Sequence, residues 1–279
     1  MITTRFAPSP TGYLHLGHAF AALTAARAGE RFLVRIEDID TTRCGEEFVT
    51  AIFEDLAWLG LSWEQPVLRQ SSRFGAYRAA LDVLTTRGLI YPCFCTRKDI
   101  ADEIARAVDA PHGPEGALYP GTCRHLSSSA RADRIASGAA YALRLDAAKA
   151  ARETGALSFV EQGQGPGGEH GVIAAQPELF GDIVLARKET PASYHLAVVT
   201  DDAFQGVTLV TRGEDLFAAA HVQRLLQALL DLPVPIYAHH KLILDESGRK
   251  FSKRDQAVTL RAMRESGVAA ERVRKRLGF

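Results

Sequence analysis

The chain has 279 residues, 47% of them hydrophobic and 24% charged, proportions that suit a globular enzyme of one large domain or two modest ones. Its 33 basic residues balance 33 acidic ones, which excludes a global positive field. Any RNA contact must therefore come from a local basic surface, such as Arg124–Arg134 or Arg272–Arg276. Residues 1–10 carry no basic segment followed by an apolar run, and no stretch approaches the ~18 uninterrupted apolar residues of a membrane span, so a cytoplasmic protein with no membrane partner is expected.

In chain order, Ile2–Arg5 predicts a short strand. Pro8 and Pro10 prolong an extended exit from it, and Gly12 lets backbone approach a ligand closely. His15-Leu16-Gly17-His18 then opens a helix whose apolar side is Leu16, Ala19, Phe20, Leu23 and Ala26. That places two imidazoles beside the free N–H groups of a first turn, a setting suited to polyphosphate. A strand at Phe32–Ile36 completes a β-α-β unit, which implies a parallel sheet with a right-handed crossover. Two amphipathic helices follow, one with Phe48, Ile52, Leu56 and Leu59 on a single face, the next with Phe74, Tyr77, Leu81 and Leu84.

Composition changes after Tyr91-Pro92. The segment to Gly181 holds three of the four cysteines, many glycines and the run Gln162-Gly163-Gln164-Gly165-Pro166-Gly167-Gly168, and reads as an inserted domain with flexible loops. The α/β pattern resumes with Asp182–Arg187, a hairpin turn at Glu189-Thr190-Pro191, and Tyr194–Thr200. A further strand, Val207–Thr211, leads into a helix that starts at Gly213-Glu214-Asp215 and carries Val222, Leu225, Leu226 and Leu229. The expected fold class is α/β: a Rossmann-like nucleotide-binding parallel sheet split by a zinc-bearing insertion, with segments 1–92, 93–181, 182–240 and 241–279.

Close cysteines in a chain of this kind are better metal ligands than disulfide partners. Cys93, Cys95 and Cys123 supply three thiolates for a tetrahedral zinc shell, and such a closed shell is structural, without a catalytic water. Tyr119, His112 and His125 are rivals for the fourth place; Cys44 stands apart as a free thiol.

Lys250-Phe251-Ser252-Lys253-Arg254, more than 200 residues after His15, supplies a mobile cation in Lys253 on a Gly/Ser-rich loop. In this order the two segments resemble the H-I-G-H and K-M-S-K-S motifs of class I aminoacyl-tRNA synthetases. Arg35-Ile36-Glu37-Asp38-Ile39-Asp40, Tyr194–Asp202 and Arg212-Gly213-Glu214-Asp215-Leu216 narrow the likeness to the catalytic core of bacterial glutamyl-tRNA synthetases. Only 25 residues follow Arg254, too few for the helical anticodon-binding domain of that family. Together with Cys93, Cys95, Tyr119 and Cys123, this resembles the glutamyl-Q tRNA(Asp) synthetases, stand-alone cores that attach glutamate to queuosine in the anticodon of tRNA(Asp).

The resemblance implies that ATP, with Mg2+, is bound by His15, Gly17, His18, Lys250, Ser252 and Lys253, of which His15, His18 and Lys253 act in catalysis. It implies a glutamate pocket of Arg5, Phe6, Ala7, Pro8, Ser9, Glu37, Tyr194 and Arg212, and one structural zinc ion on Cys93, Cys95, Tyr119 and Cys123. Its partners would be L-glutamate, ATP and queuosine-containing tRNA(Asp), with the chain acting as a monomer. The pocket chemistry agrees, since two carboxylates and one ammonium call for guanidinium partners and one acid. The runner-up is a minimal glutamyl-tRNA synthetase charging the 3′ end of tRNA(Glu). Another nucleotidyltransferase would not need the Arg5, Glu37, Tyr194 and Arg212 set, and an inactive paralogue would not need His15, His18 and Lys253.

Overall fold

The computed structural model describes residues 1–106, 112–114, 116–243 and 258–279. Strand β1 (Thr3–Phe6), helix α1 (Leu16–Ala28) and strand β2 (Arg31–Ile36) form the expected parallel β-α-β unit, with Phe6 level with Val34. After α2 (Glu46–Trp58), the short β3 (Leu68–Arg69) adds a further parallel strand beside β2. Glu46 and Glu47 in the first turn of α2 complement its dipole. Helix α3 (Phe74–Thr86) buries Tyr77, Leu81 and Leu84, the face its sequence period selects.

Strand β4 (Ile90–Cys93) leads to α4 (Arg97–Arg106), then to two-residue strands β5 (His112–Gly113) and β6 (Gly116–Ala117), helix α5 (Ser128–Ala136), strand β7 (Ala142–Leu145) and helix α6 (Ala147–Thr154). The hairpin of β8 (Ser158–Glu161) and β9 (Gly171–Ala174) follows, then β10 (Val184–Arg187). β10, β7 and β4 form a separate antiparallel sheet in that order.

Helix α7 (Tyr194–Phe204), β11 (Leu209–Gly213), α8 (Ala219–Leu229) and β12 (Ile236–His240) then build a second parallel unit. The chain entering β11 joins the first unit: the Thr208 N–H donates to the Thr3 carbonyl at 3.0 Å and the Thr3 N–H donates to the Thr208 hydroxyl at 2.9 Å. The C-terminal ends of β1, β2, β11 and β12 therefore open on the same side, where open α/β sheets place their ligands. Helices α9 (Leu260–Glu265) and α10 (Ala270–Arg276), separated at Gly267, press Leu260 and Val273 into the core of α1 and α2. Each such side chain contributes about 1.5–3 kcal/mol on burial. Arg264 adds a bond from Nε to Asp55 Oδ1 at 3.2 Å.

Two expectations are corrected. Tyr194–Thr200 does not continue a hairpin but is helical, because Ser193 caps it, its hydroxyl accepting from the Leu196 N–H. The helix is buried on nearly every side, so its apolar run looked strand-like. The glycine-rich run 162–168 is likewise no loose loop at its start. β8 pairs in parallel with β12, and the Gln162 and Gln164 N–H groups donate to the Tyr237 and His239 carbonyls at 2.7 and 3.1 Å. A Cβ on Gly163 would lie 2.1 Å from the His239 carbonyl oxygen, so only glycine allows this approach.

Candidate active site

His15 is the N-cap of α1 rather than a residue of its first turn. Its Nδ1 accepts from the Gly17 N–H at 3.2 Å, and its own N–H donates to His18 Nδ1 at 3.1 Å. The rings lie 3.8 Å apart. With both Nδ1 atoms accepting, each neutral ring carries its proton on Nε2, the tautomer that donates to a phosphate oxygen. A Cβ on Gly17 would sit 3.1 Å from His15 Cε1, so the His15 ring would have to shift by a few tenths of an ångström to admit one. The C-terminal segment returns to this point: Thr259 bridges to His15 and the Leu260 N–H donates to the Leu14 carbonyl at 2.8 Å. Lys250, Ser252 and Lys253 lie outside the described residues.

Arg5, Phe6, Ala7, Pro8, Ser9, Glu37, Tyr194 and Arg212 all line one cavity of about 400 Å³, together with His18, Thr211, Gly213 and Leu216. Beneath it runs a buried charge lattice. Asp202 Oδ1 accepts from Arg5 Nε at 3.0 Å and from Arg35 Nη1 at 2.7 Å, and Arg35 Nη2 donates to Glu37 Oε1 at 3.2 Å. Burial resists ionisation of Asp202, but Arg5 and Arg35 outweigh it and hold the carboxyl below its ordinary range. Burial pushes the Glu37 carboxyl up, against the pull of Arg35 and Arg5.

The two cavity arginines differ. Arg5 is ion-paired to Asp202, whereas Arg212 donates to neutral groups, from Nη1 to Gln223 Oε1 at 2.9 Å and to the Tyr194 hydroxyl at 3.5 Å. Its Nη2 is buried and has no hydrogen-bond partner among the described residues. A buried guanidinium with an unmet donor edge calls for an anion, and a carboxylate matches it. A second cavity of about 940 Å³ shares Ser9, Glu37 and Tyr194 with the first and extends past Arg43, Arg144 and Asp182 to Tyr119.

Cys93, Cys95 and Cys123 place their sulfur atoms within 4.8 Å of one another. Cys95 Sγ is 3.5 Å from Cys123 Sγ and 3.5 Å from the Tyr119 hydroxyl. Sulfurs around tetrahedral zinc are separated by roughly 3.8 Å, given Zn–S bonds of about 2.3 Å, so the donor set fits that ion. His125 is not part of the cluster. Without a metal, burial and the neighbouring sulfurs push the Cys95 thiol up to about 11, despite the opposing Tyr119 hydrogen bond; a cation would reverse that. The Arg144 guanidinium lies 3.9 Å over the Tyr119 ring and links the cluster to the wall of the larger cavity.

Arg35, Asp202 and Gln223 were not among the site residues the sequence suggests. A signal existed for the first two: Arg35 falls inside an apolar strand, and Asp201-Asp202 directly follows an apolar run, where unpaired charge would be prohibitively costly. Nothing local marked Gln223, which α8 brings within 2.9 Å of the Arg212 guanidinium.

Two histidines with rings in contact at a helix start beside an arginine-lined cavity, both beyond the C-terminal ends of parallel strands, match the class I tRNA synthetase catalytic fold. The chain belongs to the family described as tRNA synthetases class I (E and Q), catalytic domain, whose profile matches residues 1–278. Among curated proteins it is 49% identical to the glutamyl-Q tRNA(Asp) synthetase of Rhodobacter capsulatus, over 99% of both chains. It is 39% identical to the glutamate–tRNA ligase of Aquifex aeolicus, covering 97% of this chain and 55% of that one. Among solved structures, a glutamate tRNA ligase from Elizabethkingia meningosepticum in complex with its amino acid superposes with a TM-score of 0.73 at 27% identity, over 91% of this chain. The chain spans about half of that ligase, 52%. No helix among the described residues is long and apolar enough to cross a membrane.

Proposed function

We propose that the chain activates L-glutamate with ATP to glutamyl-adenylate and transfers the glutamate to queuosine in the anticodon loop of tRNA(Asp). The activation half is carried by the single cavity that collects Arg5–Ser9, Glu37, Tyr194 and Arg212 next to His18. The acceptor half rests on the name of the Rhodobacter capsulatus relative, which shares nearly the full length.

In this reading the unpartnered edge of Arg212 takes one glutamate carboxylate, Glu37 takes the ammonium, and Tyr194 packs the side chain. The other carboxylate attacks the α-phosphate of ATP and pyrophosphate leaves. His15 and His18 donate from Nε2 to phosphate oxygens, and Lys253 neutralises the charge spreading onto pyrophosphate, with Mg2+ accompanying the nucleotide. A hydroxyl of the modified nucleoside then attacks the adenylate carbonyl and AMP departs. Such a nucleotide is within reach because single-stranded loops let bases be splayed out. Cys93, Cys95, Cys123 and Tyr119 would hold a structural zinc ion. The catalytic domain would take segments 1–92 and 182–240 together with β8 and β9, which join β12; the rest of 93–181 would form the insertion, whose antiparallel sheet also draws in β4 and β10, and 241–279 would supply Lys253 and the closing helices.

The test is ATP/pyrophosphate exchange without RNA. Glutamate should support it, and aspartate, one methylene shorter, should be about 10–200-fold poorer. Glutamine should also fail, because its amide leaves the buried guanidinium uncompensated. Equal exchange with glutamine would overturn the assignment.

A further inference from the structure

Resting on the reading of the cavity as a glutamate pocket, we infer that Glu161 and His239 are positioning residues that orient Arg212 for the substrate carboxylate. Neither touches the cavity. Glu161 ends β8, and its carboxylate is fully engaged: Oε1 accepts from the Gly163 N–H and the His239 N–H, each at 2.8 Å, and Oε2 lies 2.5 Å from His239 Nδ1. On the far side of the ring, the Arg212 Nε–H donates to His239 Nε2 at 2.9 Å. Both His239 and Glu161 side chains are wholly buried.

This geometry allows one proton arrangement. Arg212 cannot accept, so His239 Nε2 must be a bare lone pair and the ring proton must sit on Nδ1, pointing at Glu161. The carboxylate thereby selects the tautomer, the logic by which an outer-shell acid orients an imidazole elsewhere in protein chemistry. Tyr237 stacks on the ring with an interplanar angle of 6° and Phe217 meets it edge-on at 5.2 Å, so the imidazole cannot tilt.

The consequence reaches the ligand. The relay consumes Nε of Arg212 and Gln223 holds Nη1, which fixes the guanidinium plane and leaves Nη2 as the donor without a partner among the described residues. A carboxylate bonded directly to Arg212, as Asp202 is to Arg5, would compete with the substrate. Interposing a neutral imidazole keeps the compensating charge of Glu161 one residue away, so Arg212 retains its attraction for an incoming anion. It also gives the glycine-rich run a purpose: Gly163 has no side chain because the His239 backbone occupies that space, with its nitrogen 2.6 Å from where a Cβ would stand.

The experiment is glutamate-dependent exchange with full-length His239→Leu, His239→Gln and Glu161→Gln, reading the KM for glutamate, the KM for ATP and kcat. His239→Leu deletes the acceptor and should raise the glutamate KM about 30-fold or more, with the ATP KM within about twofold. His239→Gln restores an acceptor near the Nε2 position and should return the glutamate KM to within about fivefold of wild type. Glu161→Gln can donate to Nδ1 and flip the tautomer, so it should raise the glutamate KM about tenfold. If His239→Leu does not fold, the two conservative variants carry the test. An unchanged glutamate KM in both, or equal changes in both KM values, overturns the relay while glutamate exchange by the wild type leaves the pocket reading intact. A wild type that does not exchange glutamate overturns both.

Discussion

Asp202→Asn tests whether the charge lattice under the cavity is what holds it. Among the described residues, Asp202 is the only acid bonded to both Arg5, at 3.0 Å, and Arg35, at 2.7 Å, and all three side chains are buried. The amide keeps the shape but removes the charge, leaving two buried guanidinium groups facing the single carboxylate of Glu37. Breaking a buried pair costs about 3–5 kcal/mol, a large share of the roughly 5–15 kcal/mol that keeps a domain folded. At about 2–4 °C per kcal/mol for chains approaching this size, Tm should fall by roughly 6–20 °C. The Asp202 carboxyl is held below its ordinary range in the folded protein, so its contribution is complete above the unfolded value of about 3.9 and is lost as pH falls below that. Urea melts of wild type and variant should therefore differ fully at pH 7 and converge toward pH 3. A difference below about 1 kcal/mol at pH 7, or one independent of pH, would show that the Asp202 charge does not hold the lattice together.

Three more outcomes are expected. Burial pushes the Asp55 carboxyl up to about 6, against the pull of Arg264, so the folded state holds that proton more tightly and stability declines as pH rises from about 4 through 6; Asp55→Asn should flatten the urea midpoint across that window. Lys253→Ala should slow glutamate activation by about 10²–10³-fold with little change in glutamate affinity, measured by exchange kinetics. Freshly purified protein should contain one zinc per chain by metal analysis, and Cys123→Ser should lose it and harm transfer to RNA more than exchange.

The sequence showed the fold where apolar periodicity and topology agree. The period of 3.6 through Tyr77, Leu81 and Leu84, and the strand–helix–strand order from Thr3 to Ile36, each admit one packing. It misled at Tyr194–Thr200, because a helix buried all round has no polar stripe to reveal its period. It misled again at 162–168, where glycines that look like flexibility are the signature of close approach by β12. Of the residues lining the smaller cavity, Arg5, Glu37 and Arg212 stood out in the sequence as charges within or just after apolar strands, whereas Tyr194 opens a helix. Their partners did not stand out: Asp202 lies 197 residues from Arg5 and Glu161 78 residues from His239, distances that only the folded sheet closes.

Transfer of labelled glutamate tests the proposed acceptor most directly, with three RNAs offered in parallel: tRNA(Asp) containing queuosine, tRNA(Asp) lacking it, and tRNA(Glu). Label is expected on the first alone, retained at the anticodon-loop nucleotide after nuclease digestion. Label at the 3′ end of tRNA(Glu), or equal labelling of both tRNA(Asp) samples, would contradict it.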